Sequence, residues 1–141
     1  MIRRYNLEDI EKIEKLEDKV FGYNLGNYLR INYQNEFLYT YVFESDNKII
    51  GYISSNFDGE ILEILNFCID PDYQHKHYGS KLFDFMLNDI KGIKRIILEV
   101  NENNKNAISF YTKYGFNTIN VRKEYYENKY DAYLMEKILW I

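Results

Sequence analysis

Apolar residues along this chain fall into helical and strand rhythms whose order outlines a fold. Residues 1–5 predict a short strand, and Asn6 is placed to cap a helix carrying Leu7, Ile10, Ile13, Leu16 and Val20 at helical intervals. A second, irregular helix is expected at about 25–34. Residues 37–44 are rich in aromatic and β-branched side chains, Ser45-Asp46-Asn47-Lys48 has turn chemistry, and 49–57 reads as the returning strand of a hairpin. Asp58-Gly59 marks another turn, and 61–69 gives a third strand stopped by Asp70-Pro71-Asp72.

Beyond the polar stretch 73–78, Leu82, Phe83, Phe85, Met86 and Ile90 make a helical face that ends near Gly92. Residues 95–100 form a short buried-looking strand, 104–114 a helix, and 116–121 and 132–139 the closing strands. The order β-α-α-β-β-β-α-β-α-β-β predicts an α+β fold on a mixed sheet.

Composition narrows the function classes. A length of 141 residues suits a single domain, 1–141, and 46% apolar with 28% charged residues suits a soluble globular one. The net charge of -4, with both signs scattered, argues against a general nucleic-acid binder. No apolar run approaches the length of a membrane span, and the N-terminus passes quickly into charged sequence, so a cytoplasmic location is expected. Cys68 is the only cysteine and stands in an apolar stretch, which excludes an intramolecular disulfide and favours a packed thiol over a metal ligand or nucleophile.

The candidate chemistry begins at Gln74-His75-Lys76-His77-Tyr78-Gly79-Ser80-Lys81, between a strand end and a helix start. Free backbone N–H groups and the positive helix end converge at such a place, which suits phosphate oxygens. Gly79 permits close backbone approach, and Lys76 and Lys81 can add charge. A polar helix-start turn that binds nothing fits equally well until the downstream pattern Asn104-x-x-Ala107-x-x-x-Tyr111-x-x-x-Gly115-Phe116 is added.

With these two motifs the chain resembles the GNAT superfamily of acetyl-coenzyme A-dependent N-acetyltransferases, whose helix-start motif Gln/Arg-x-x-Gly-x-Gly/Ala aligns with residues 74–79. The resemblance covers nearly the whole chain and implies the GNAT fold, with about seven mostly antiparallel strands flanked by about four helices. Three stretches make the RimI type, which acetylates the N-terminal alanine of a ribosomal protein, the nearest within it. They are 69–74, 98–116, and Arg122-Lys123-Glu124-Tyr125-Tyr126 with Asp131-Ala132 and Met135.

The resemblance implies that acetyl-coenzyme A is the co-substrate and that no metal takes part. Phe67, Cys68 and Ile69 would hydrogen-bond the pantetheine arm through backbone groups, His75, Lys76, His77, Tyr78, Gly79 and Ser80 would wrap the pyrophosphate, and Asn104 would touch the arm. Glu99 would act as general base, through water, and Tyr111 as the acid for the departing thiolate. An oxyanion contact would come from the 67–69 backbone, and Tyr125 and Tyr126 would line the entry of an acceptor peptide. Read without the motif, Glu99 is a solvated strand-end charge, Tyr111 is one core aromatic among fifteen tyrosines, and the tyrosine pair is surface packing.

Two departures stand out. His77 occupies the place of the motif's middle glycine; if that place needs a positive φ, histidine carries roughly 1 kcal/mol or more of strain. The stretch 20–25 lacks the Pro and Trp that shape the acceptor site of RimI-type enzymes, which leaves the acceptor open. A protein N-terminal α-amine is the leading expectation, with a small-molecule amine or a non-catalytic module binding coenzyme A as alternatives, in a monomer or homodimer.

Overall fold

The computed structural model describes residues 1–22, 28–74 and 76–139. The elements among them are β1 (Ile2–Arg4), α1 (Ile10–Phe21), α2 (Tyr28–Ile31), β2 (Leu38–Ser45), β3 (Lys48–Phe57), β4 (Ile61–Ile69), α3 (Tyr78–Asp89), β5 (Arg95–Asn101), α4 (Lys105–Lys113), β6 (Asn117–Tyr126) and β7 (Tyr130–Ile138). The strands form one seven-stranded sheet in the order β1-β2-β3-β4-β5-β7-β6. The expected α+β class and element order hold. Strand β4 pairs β5 in parallel, from Ile61 opposite Arg95 to Ile64 opposite Leu98, while β1–β2, β2–β3, β5–β7 and β6–β7 are antiparallel.

Two compact units compose the chain, residues 1–57 with 65–91, and 58–64 with 92–141. In the first, α1 and α3 both pack on β3, which explains why β3 is buried along nearly its whole length instead of alternating. Ile10, Ile13 and Leu16 of α1 join Leu38, Val42, Ile49 and Tyr52 in its core. In the second, β5 alternates, burying Ile96, Leu98 and Val100, and Tyr111, Phe116, Ala132 and Met135 are buried with them.

Several boundaries differ from the sequence reading for local reasons. Asn6 accepts a hydrogen bond from Glu8 N at 3.0 Å and donates its own N–H to Asp9 at 2.8 Å, but the turn it caps is a separate 3-10 turn, Leu7–Asp9. Leu7 is therefore exposed instead of lying on the core face of α1. Of the irregular helix expected at 25–34, Tyr28–Ile31 is helical, and 23–27 lie outside the described residues. The strand expected at 116–121 runs on to Tyr126, because register shifts after Thr118 and after Arg122 absorb the extra residues that break its apparent pattern.

Candidate active site

The end of β4 feeds a turn tied down by charge. Asp70 accepts from Asp72 N at 3.0 Å, which caps the 3-10 turn Pro71–Tyr73, and it pairs with Lys19 Nζ at 2.8 Å. Burial pushes the Asp70 carboxyl up, but Lys19 and the Asp72 N–H together hold it below the ordinary carboxylate range.

The N-cap of α3 is His77, with φ 63° and ψ 17°, in the left-handed region. The backbone there takes the positive φ that glycine adopts freely, and histidine holds it. The first helical hydrogen bond runs from Lys81 N to His77 O at 3.1 Å, so the Tyr78 and Gly79 amides precede the helical ladder. They point outward from the positive end of a twelve-residue helix. Lys76 and His77 are exposed there, Tyr78, Gly79 and Ser80 half-buried, and the Lys81 ammonium lies 5.7 Å from the centre of the Tyr78 ring. His75 lies outside the described residues.

The β4 residues Phe67, Cys68 and Ile69 follow the stretch of β4 that is in register with β5, which ends at Ile64 opposite Leu98. Phe67 stacks on Phe83 at 6.1 Å, and the Asp70 N–H reaches Ile50 O at 2.7 Å. Burial, with the negative charges of Glu17 and Asp70 adding to it, pushes the Cys68 thiol far up, so it stays protonated and inert. Gly51 explains how the strands fit: a Cβ there would stand 2.5 Å from Ile69 Cδ1 and 3.1 Å from Cys68 O. Nothing in the sequence pattern singled Gly51 out.

The second unit holds Glu99, Asn104, Tyr111, Tyr125 and Tyr126. Glu99 sits near the end of β5, opposite Leu134 of β7. One carboxylate oxygen, Oε1, is 3.2 Å from Arg122 Nη2, whereas Oε2 is buried without a hydrogen-bond partner among the described residues. The carboxylate is therefore ion-paired through one oxygen, with the other buried.

Asn104 caps α4, its side-chain oxygen accepting from Ala107 N at 3.1 Å. Tyr111 is 6% exposed and packs against Phe110 and Phe116, with ring centres at 5.5 and 5.3 Å. Burial pushes its phenol well above the usual range. A buried phenol is a weaker acid, better suited to donating a hydrogen bond than to giving up its proton. Tyr125 is exposed and meets Tyr126 edge to face at 5.0 Å, with the Arg122 guanidinium 5.2 Å above the Tyr125 ring. Sequence reasoning noted Arg122 as part of a subtype stretch but not its partner, because the pairing spans two strands.

Residues 5–116 match the acetyltransferase (GNAT) family model. A Bacillus subtilis (strain 168) protein with the provisional name ribosomal protein bS18-alanine N-acetyltransferase is 28% identical over 139 residues, covering 95% of this chain and 92% of its own. The crystal structure of the ribosomal-protein-S18-alanine N-acetyltransferase from Escherichia coli superposes with a TM-score of 0.89 at 22% identity, covering 100% of this chain and 94% of that one. Arabidopsis thaliana NAA60 in complex with acetyl-CoA superposes at 0.83 with 15% identity, covering 99% and 98%.

Proposed function

The chain belongs to the acetyltransferase (GNAT) family and is an acetyl-coenzyme A-dependent N-acetyltransferase, and from that premise we propose that its acceptor is the α-amine of a protein N-terminus, as in RimI-type enzymes. The observation that carries the reading is Glu99, whose inward oxygen is buried and unmet by any described residue. A terminal amine, with a pKa of about 7.7–8.0, is mostly protonated at neutral pH and attacks a thioester only after losing that proton. A carboxylate oxygen without a partner is suited to take it, directly or through one water.

In this reading the amine nitrogen attacks the thioester carbonyl, its proton passes toward Glu99, the C–S bond breaks, and Tyr111 donates a hydrogen bond to the departing sulfur. The Tyr78 and Gly79 amides with Lys76 and His77 hold the pyrophosphate, aided by His75 and Ser80. Phe67, Cys68 and Ile69 offer backbone groups to the pantetheine arm and to the oxyanion, and the Asn104 NH2 group meets the arm. The Tyr125–Tyr126 pair, with Tyr125 exposed and Tyr126 half-buried, supports a peptide acceptor, because rigid amphipathic rings supply contact area at small entropic cost.

The test is release of free thiol from acetyl-coenzyme A with a panel of N-terminal peptides set against polyamines and aminoglycosides. Turnover with peptides, lowered about a hundredfold by Glu99→Gln and by Tyr111→Phe, is the expected result. Turnover with the small amines alone would replace the acceptor assignment. Wild-type rates in both variants would remove the two roles and leave the family standing.

A further inference from the structure

The ion pair between Arg122 and Glu99 crosses a whole strand. Glu99 of β5 stands opposite Leu134 of β7, and Asn120 of β6 stands opposite the same Leu134. Directly opposed residues share a face, so Arg122, two residues after Asn120, faces the same side as Glu99. The two outer strands are roughly 9–10 Å apart, a gap that a long side chain closes and a short one does not. Arg122 pairs in register with Ala132, so the residue beside its path on β7 is small. The strand register then shifts between Arg122 and Tyr126, and Glu124 takes a left-handed φ of 53°. That break lets the Tyr125 ring come to 5.2 Å from the guanidinium.

Each feature fixes the orientation of one carboxylate. Arg122 holds Oε1, and the same rotamer leaves Oε2 buried and unmet by any described residue. We propose that Arg122 is a positioning residue for the acetyl transfer: it anchors Glu99 through Oε1, with Tyr125 supporting the guanidinium, so that Oε2 is presented to the acceptor amine. The proposal rests on the reading of Glu99 as base. It assigns Arg122 no contact with either substrate.

The test is steady-state kinetics of Arg122→Gln, Arg122→Lys, Glu99→Gln and the double variant Glu99→Gln/Arg122→Gln, with calorimetric coenzyme A binding as the control for folding. Arg122→Gln should lower kcat by about tenfold or more while the acceptor KM stays within about threefold, and Arg122→Lys should recover part of the loss. On the Glu99→Gln background, Arg122→Gln should add nothing, because the residue acts through Glu99. Full additivity in the double variant, or a rise confined to KM, would overturn the proposal by making Arg122 an independent substrate contact. A wild-type rate for Arg122→Gln beside an impaired Glu99→Gln would overturn it while leaving the base in place. A wild-type rate for Glu99→Gln would remove the base assignment and this proposal together.

Discussion

The Tyr52 hydroxyl donates a hydrogen bond of 2.7 Å to the Glu17 carboxylate, at a point where Glu17 is 1% exposed and Tyr52 fully buried. An acidic side chain on α1 is thus held in the interior by a donor from β3. Deleting the hydroxyl takes this donor away from a buried carboxyl oxygen. Tyr52→Phe should therefore destabilise the fold by about 1–3 kcal/mol, seen as a lower urea midpoint at unchanged slope. An unchanged midpoint would mean that the carboxylate finds an equivalent donor.

Gly51 is the point where β3 approaches the end of β4. An added methyl meets the flexible end of Ile69, which can turn aside, and also the Cys68 carbonyl, which is backbone and must shift. Gly51→Ala should destabilise by about 1–3 kcal/mol. If Cys68 and Ile69 serve the pantetheine arm, calorimetry should also find coenzyme A affinity reduced; unchanged affinity would argue that the arm does not use them.

The left-handed backbone at His77 makes the choice of residue there a matter of φ. A β-branched side chain is an outlier in this region, so His77→Val should lower stability by about 1–2 kcal/mol and weaken coenzyme A binding. His77→Gly relieves strain but loosens the unfolded chain, and its stability should stay within about 1 kcal/mol of wild type. Titrating coenzyme A against wild type and His77→Gly at pH 6 and pH 8 isolates any contribution from the imidazole charge. Tighter binding at pH 6 in wild type alone would establish one, and equal affinities throughout would exclude it.

Acid should weaken the fold through Asp70 and Asp9. Burial pushes both carboxyls up, yet Lys19 and the Asp72 N–H at the first, and Arg3 with the Asn6 N–H at the second, hold them below the ordinary range. Their stabilisation is fully present above the unfolded pKa of about 3.9 and is lost as pH falls through the lower folded values. Urea midpoints should fall between about pH 4 and pH 2, and Asp70→Asn should start from a lower midpoint and fall less. A variant with the wild-type slope would take Asp70 out of the acid transition.

Hydrophobic spacing and turn residues are local signals, so the order of elements was legible along the chain before any packing was known. Local signals also located the α3 start and Asn104, where helix ends write their own chemistry into neighbouring residues. Tertiary structure alone decided what the candidate groups became. Tyr111 is a weaker acid because of what buries it, and Gly51 matters because of a strand about eighteen residues away in sequence. Glu99 has one anchored and one inward oxygen because Arg122 reaches it across β7. Such pairings depend on register, which β6 sets through two shifts that no periodicity reveals.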